Sequence, residues 1–247
     1  MNVIINGCNG RMGKELAQAI KETPGVETIG GIDQVDTGDN SFPVYTNLDD
    51  IKDTPDVIID FSIPTATMKL LEYTSSKGIP TVIATTGFSP EELSQITEYS
   101  KTIPIFRSAN MSYEVTLMSR IVAEIAKALP ESDIEIVETH HHNKIDAPSG
   151  TALLLANSIN DACDNKFDYE YNRHDKREKR PANQIGIHSI RGGTEVGTHS
   201  VIFFGNNESF EVKHTCTSRK AFAFGAIKAA QFLSMKEPGL YNMNDIK

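Results

Sequence analysis

Tryptophan is absent from this sequence and cysteine is scarce: Cys8, Cys163 and Cys216 stand far apart, with no CxxC pair among them. That pattern excludes a disulfide framework and a zinc knuckle, and leaves reduced thiols as the expectation. Long hydrophobic runs are missing as well. No stretch approaches the roughly 18 apolar residues of a membrane span, and Met1-Asn2-Val3-Ile4-Ile5 enters a strand pattern without a basic leader. The expected compartment is therefore cytoplasmic, with no membrane partner. Nor is there an excess of positive charge. The formal charge is -9, which works against a nucleic-acid partner because phosphate-backbone affinity needs a net supply of Lys and Arg. The one basic stretch, Arg173 to Arg180, carries Asp175 and Glu178 inside it and reads as a solvated loop. No internal repeat, biased segment or long Gly/Ser or Pro linker interrupts the chain.

What is present is ordinary globular material, 39% hydrophobic and 23% charged over 247 residues, long enough for one large domain or two modest ones. Up to residue 110, short apolar runs alternate with helix-period segments, the pattern of repeated βαβ units and a mostly parallel sheet. Strands are expected at Val3 to Ile5, Val26 to Ile32, Val57 to Ile59, Thr81 to Ile83 and Ile103 to Phe106. Helices are expected over Gly13 to Thr23, with Met12, Leu16 and Ile20 on one stripe, and over Thr65 to Lys77 and Pro90 to Lys101, each starting beside a proline. Met111 to Leu129, with Leu117, Ile121 and Ile125 on a stripe, predicts a long helix leaving this domain. Beyond it the period changes to two at Ile134 and Ile136, Ile185 and Ile187, and Phe210, Val212, His214 and Cys216, the mark of strands half exposed on one face. Ser218 to Ser234 returns to helical spacing through Phe224, Ile227 and Gln231, and its alanine-rich character suits packing back on the first domain. The expected fold class is α/β: a Rossmann-like dinucleotide-binding domain from 1–110 and 217–247, with a second α+β domain at 111–216, built on a mixed, half-exposed sheet, for substrate binding and oligomerisation.

Directly after the first strand comes Gly7-Cys8-Asn9-Gly10-Arg11-Met12-Gly13, opening into a helix. Glycines so placed permit a tight turn and a close backbone approach to a pyrophosphate, while the helix N-terminus offers N–H groups and partial positive charge. Asp33, twenty residues beyond Gly13 at the end of the second strand, stands where an acid accepts hydrogen bonds from a ribose diol. A ligand-free glycine turn explains the loop alone, but not the loop in this strand, helix, strand and acid order. Gln34 rather than Arg follows the acid, so NADH is slightly favoured over NADPH, with dual use open through Arg11.

At the end of the strand from Ile134 to Thr139 the chain reads His140-His141-His142-Asn143-Lys144-Ile145-Asp146-Ala147-Pro148-Ser149-Gly150-Thr151. Consecutive side chains on an extended segment alternate in direction, poor geometry for three ligands on one ion, so no metal is expected. A lone loop histidine would be read as solvated. Here the loop runs into a strong helix start in which Ser149 suits an N-cap and the N–H groups of Gly150 and Thr151 suit an anion. A carboxylate docked there beside Lys144 and a histidine completes a substrate clamp. Imidazole titrates near pH 6.5, and a lysine crowded by other cations sheds its proton more readily, so the pair suits proton donation as hydride arrives from a nicotinamide.

These motifs, with Ala84-Thr85-Thr86-Gly87, Ser108-Ala109-Asn110, Glu138-Thr139-His140-His141, Arg191-Gly192-Gly193, Val196-Gly197-x-His199 and Ser218-Arg219, resemble the 4-hydroxy-tetrahydrodipicolinate reductases of the diaminopimelate and lysine pathway, over essentially the whole chain. The resemblance implies an oxidoreductase of lysine biosynthesis that removes water from a cyclic 4-hydroxy dicarboxylate and places hydride at ring carbon 4. By matching positions it implies His140 and Lys144 as the proton-transferring pair, and His141, Gly150 and Thr151, with Ser149 at the helix start, as the substrate-binding set. The cofactor would lie across Gly7, Cys8, Asn9, Gly10, Arg11, Met12, Asp33, Ala84, Thr85, Thr86, Ser108, Ala109, Asn110 and Met111. It also implies a homotetramer built through the second domain and a hinge that closes on substrate. Ala84, Met111 and Gln34 depart from the family's common Gly, aromatic residue and Arg; only Gln34 bears on NADPH use. A different two-domain dehydrogenase is the nearest rival within enzymes, though a semialdehyde dehydrogenase would need a nucleophilic Cys beside the nicotinamide. A non-catalytic NADH sensor is the rival outside them, and it would not require His140, Lys144 and a carboxylate-binding helix start together.

Overall fold

A computed structural model describes residues 1–246, which divide into two compact units: Met1–Ser112 with the segment from Arg219 onward, and Tyr113–Ser218. The first begins with β1 (Asn2–Asn6), α1 (Arg11–Lys21), β2 (Glu27–Ile32), β3 (Val44–Tyr45), β4 (Val57–Asp60), α2 (Pro64–Lys77), β5 (Thr81–Ile83), α3 (Pro90–Tyr99) and β6 (Pro104–Arg107). The second comprises α4 (Tyr113–Ala128), β7 (Asp133–His140), α5 (Gly150–Ala162), β8 (Asp168–Glu170), β9 (Gln184–Arg191), β10 (Gly197–Phe204) and β11 (Ser209–Cys216). The chain then returns to the first unit with α6 (Lys220–Leu233) and β12 (Gly239–Tyr241).

In the first unit seven strands form a parallel sheet in the order β12-β6-β5-β4-β1-β2-β3. Its central strands are apolar without alternation, as burial on both faces demands: Val3, Ile4, Ile5, Val57, Ile58 and Ile59 are all fully buried. The strand order reverses between β1 and β4, the place where sheets of this kind open a crevice at their carboxyl edge. Pro64 and Pro90 start α2 and α3, where a missing N–H costs nothing, and Ser89 with Glu92 adds a capping box to α3.

The second unit carries a mixed sheet, β11-β10-β7-β9-β8, antiparallel between β7, β10 and β11 and parallel between β7, β9 and β8. Register sorts its residues into two faces. Ile134, Ile136, Ile185, Ile187, Val201 and Phe203 share one and form a core with Met118 and Val122 of α4 and Leu155 and Ile159 of α5. The opposite face, with Val137, Ile190, Ile202 and Phe204, stays partly exposed.

Three expectations need correction. α1 starts at Arg11, two residues before the expected Gly13, because Gly10 already takes the N-cap position. In α4 the residues that pack are Val115, Met118, Val122 and Ala126, whereas Leu117 and Ile121 remain at the surface and Ile125 lies at the core's border. In α6, Phe224 and Gln231 face outward, and the helix packs through Ala223, Gly225, Ala226, Ile227, Ala229, Ala230 and Leu233. Small residues all round a helix leave no wide stripe to read. β10 gave no alternating signal because most of its residues are buried whichever face they occupy.

Candidate active site

In the first unit a cleft of about 610 Å³ opens at the strand-order reversal, lined among others by Gly7, Asn9, Gly10, Asp33, Ser62 and Lys69. The loop after β1 is built for close backbone approach. Gly7 has φ 80°, and a Cβ there would sit 2.5 Å from the Phe61 carbonyl oxygen; a Cβ on Gly13 would sit 2.2 Å from the Gly7 oxygen. Gly10 has no side chain to cap α1, and the first turn carries no acid, so the helix's leading amides meet an anion without competition from the chain. Asp33 braces this loop: its Oδ2 accepts from Asn9 N (2.9 Å) and its Oδ1 from Gln34 N (2.8 Å). Half of a carboxylate's four lone-pair sites are thereby used, and the rest suit a diol. A pyrophosphate and its ribose thus fit the cradle that Gly7, Gly10, the start of α1 and Asp33 provide.

Beneath the cleft lies a residue without a sequence signal of its own. Asp60, at the end of β4, is fully buried and accepts from Asn6 Nδ2 (2.7 Å), Ser62 Oγ (2.5 Å), Thr67 Oγ1 (2.6 Å) and Thr85 Oγ1 (2.8 Å). Burial raises its carboxyl, and these hydroxyl and amide donors offset that only in part.

In the second unit the chemistry gathers where β7, β9 and β10 meet the start of α5. The period of two that buries Ile134 and Ile136 carries Glu138 and His140 onto the same face, with Arg191 opposite His140 in register. Glu138 is fully buried. Its Oε2 lies 2.6 Å from His140 Nδ1 and accepts from Arg191 Nη1 (2.8 Å); its Oε1 accepts from Arg191 Nη2 (2.7 Å) and Ser149 N (3.1 Å). Burial alone would raise this carboxyl, but hydrogen bonds from Arg191, Ser189 and His140 outweigh it and hold it at about 2. His199 of β10 packs edge-on to His140 with ring centroids 5.1 Å apart, and its Nε2 lies 2.9 Å from Ser149 Oγ. Burial, then the charge of His140, pushes His199 down to about 4, so it is neutral at physiological pH.

Ser149 caps α5, its Oγ accepting from Ala152 N at 3.1 Å. Since its own N–H goes to Glu138, Ser149 shapes the helix start rather than offering an amide to a ligand. Lys144 departs from expectation. The group beside its Nζ is the Asp146 carboxylate at 2.8 Å, an anion where crowding cations were anticipated, and the Lys144 ammonium holds the Asp146 carboxyl below its usual range. The contact with Asp146 thus fixes where the Lys144 Nζ points.

The sequence profile of dihydrodipicolinate reductase, N-terminus, matches residues 1–111, and that of dihydrodipicolinate reductase, C-terminus, matches residues 114–246. The chain belongs to the dihydrodipicolinate reductase family. The 4-hydroxy-tetrahydrodipicolinate reductase of Caldanaerobacter subterraneus subsp. tengcongensis is 50% identical over 100% of this chain and 98% of that protein. That of Clostridium novyi is 46% identical over 99% and 97%. A solved structure, a dipicolinate-bound dihydrodipicolinate reductase from Paenisporosarcina sp. TG-14, aligns with TM-score 0.83 and 26% identity over 99% of both chains.

Of the positions that the sequence of this reductase-family chain marks for a cofactor, Gly7, Asn9, Gly10 and Asp33 line the cleft. Cys8 is buried against Gly31 with its thiol pushed up to about 11, chiefly by burial and then by Asp33, so only its backbone faces a ligand's needs. Arg11 and Met12 start α1. Ala84, Thr85 and Thr86 follow β5, and Ser108, Ala109, Asn110 and Met111 follow β6, at the same carboxyl edge as the glycine loop. The Thr85 hydroxyl is engaged by Asp60 and Ser62 N, and Met111 is buried. His140 and Ser149 join the Glu138 cluster, while His141 and Lys144 sit in the loop between them, His141 N donating to Glu195 O (2.8 Å). Gly150 and Thr151 form the first turn of α5. Sequence reasoning gave no role to Asp60, Glu138, Arg191 or His199. The last three stood inside quoted motifs, but nothing in the linear pattern tells that a glutamate two residues before a histidine shares its sheet face with an arginine 53 positions on.

Proposed function

We propose that the chain reduces 4-hydroxy-2,3,4,5-tetrahydrodipicolinate to 2,3,4,5-tetrahydrodipicolinate, consuming NAD(P)H and one proton and releasing NAD(P)⁺ and water, in the diaminopimelate route to lysine. The observation that supports it best is the joining of His140, Lys144 and the α5 start in one loop, in a chain of this family with a dinucleotide cradle in its other unit. The reduced nicotinamide supplies hydride when bound. Gly7, Gly10, the leading amides of α1 and Asp33 hold the dinucleotide, with Ala84 to Thr86 and Ser108 to Met111 completing its contacts. Gly150, Thr151 and His141 grip a substrate carboxylate, and the Lys144 ammonium neutralises its charge and donates a proton. His140 moves the remaining proton to or from the ring. With Asp33 in place and Gln34 after it, NADH is the preferred reductant and NADPH a secondary one. The reaction belongs to the cytoplasm, where such biosynthetic intermediates are made. The partly exposed sheet face bearing Val137, Ile190, Ile202 and Phe204 is the surface through which four copies assemble.

The test is a coupled assay that generates the unstable substrate from pyruvate and aspartate semialdehyde while oxidation of NADH and NADPH is followed separately. The wild-type chain should consume nicotinamide only when both precursors are present; binding of NADH without consumption would mark it as a sensor. His140→Ala and Lys144→Ala should each cut turnover by ~10²-fold or more with the KM for NADH nearly unchanged.

A further inference from the structure

Glu138 does more than neutralise an arginine. Two hydrogen bonds from the Arg191 fork, one with His140 Nδ1 and one from Ser149 N converge on its two oxygens, so a single buried carboxylate links the imidazole to the helix start. An ionised carboxylate only accepts, which requires the proton of a neutral His140 to sit on Nδ1 and leaves Nε2 as the working nitrogen. Nε2 has room because of Gly197: a Cβ there would lie 2.9 Å from it. The ring is therefore gripped on one side by Glu138 and seated on the other over a residue without a side chain.

Resting on the reductase reading above, we propose that Glu138, kept ionised by Arg191, is the positioning residue that fixes the tautomer and orientation of His140. Glutamine tests this with near-identical shape. Placed with its NH₂ toward Arg191 Nη2 and Ser149 N, the amide would oppose two groups that can only donate. Placed toward Arg191 Nη1 and His140, it opposes one such donor and a ring that can respond by moving its proton to Nε2. Glu138→Gln should therefore invert the His140 tautomer.

The experiment is long-range ¹H–¹⁵N NMR on histidine-labelled full-length protein, with the His140 signals identified by their loss in His140→Gln, alongside steady-state kinetics. Neutral His140 in the wild type should carry its proton on Nδ1, and in Glu138→Gln on Nε2. Turnover in Glu138→Gln should drop ~10²-fold or more with the KM for NADH unchanged, and Glu138→Asp, which keeps the charge, should recover part of it. Gly197→Ala should lower turnover while keeping the Nδ1 proton. An Nε2 proton in the wild type overturns the proposal without any variant needing to fold, as does an unchanged tautomer or unchanged turnover in Glu138→Gln. The ring-nitrogen signals do not depend on turnover, so a wild type inert in the coupled assay would sink the reductase reading while leaving this test standing.

Discussion

Single side chains in this protein do two jobs in both units. Asp33 braces the glycine loop through Asn9 N and Gln34 N, and with the ribose role proposed above, Asp33→Ala should both loosen the loop and weaken NADH binding. A KM for NADH within twofold of wild type would remove that role. Gln34→Arg should instead improve the KM for NADPH, since a guanidinium there pairs with a 2′-phosphate. Ser149 is a cap and a partner of His199 at once. Ser149→Ala should cost about 1 kcal/mol in chemical denaturation, the usual worth of an N-cap. A smaller loss would mean that water replaces the hydroxyl. The outward residues of the dinucleotide loop were legible from spacing because the glycines act through backbone geometry, which is local. Asp60 was not, because two of its four donors, Asn6 and Thr85, lie 54 and 25 positions away along the chain.

At the scale of elements, the helices and the central strands of the first unit were legible as elements, whereas the buried face of a helix with small or apolar residues all round was not. α6 illustrates why. Its small residues let it lie against neighbouring backbone, and a Cβ on Gly225 would fall 1.7 Å from the Met111 carbonyl oxygen. Gly225→Ala should therefore lower the unfolding free energy by about 1–3 kcal/mol through overpacking, measured by denaturant titration; a neutral result would show that α6 shifts to accommodate a methyl group. α4 makes the complementary point. Its periodicity predicted a helix, yet Leu117 and Ile121 on the visible stripe stay exposed while Val115, Met118 and Val122 pack, because two apolar stripes ran along it and only the neighbouring sheet selects between them.

Across the whole molecule, buried ionisable groups set the response to acid. Glu138, held at about 2 against an ordinary 4.5, stabilises the folded state above its unfolded titration, and that contribution is lost as pH falls from about 4.5 towards 2. His199, pushed down to about 4 from 6.5, takes its proton first in the unfolded chain, so stability also declines as pH falls from about 6.5 to 4. Asp60, raised by burial, acts with the opposite sign. The melting temperature should drop in the 6.5 to 4 window, and His199→Gln should flatten that segment; an identical slope in the variant would refute the assignment. For the proposed tetramer, Ile202→Glu should yield smaller species by light scattering, whereas unchanged mass would place any assembly elsewhere.

The helices and the five inner strands of the first unit, the glycine loop with its acid, and the His140 to Thr151 segment were legible in the sequence alone, since each rests on local periodicity or on a short motif, whereas the edge strands β3 and β12 carry too few residues to show a pattern. Tertiary structure decided which helix faces are buried, that Asp146 rather than a cation attends Lys144, and that Glu138, Arg191 and His199 converge on His140. Those outcomes depend on strand register and chain return, which bring together groups too distant in the chain for any spacing rule to connect.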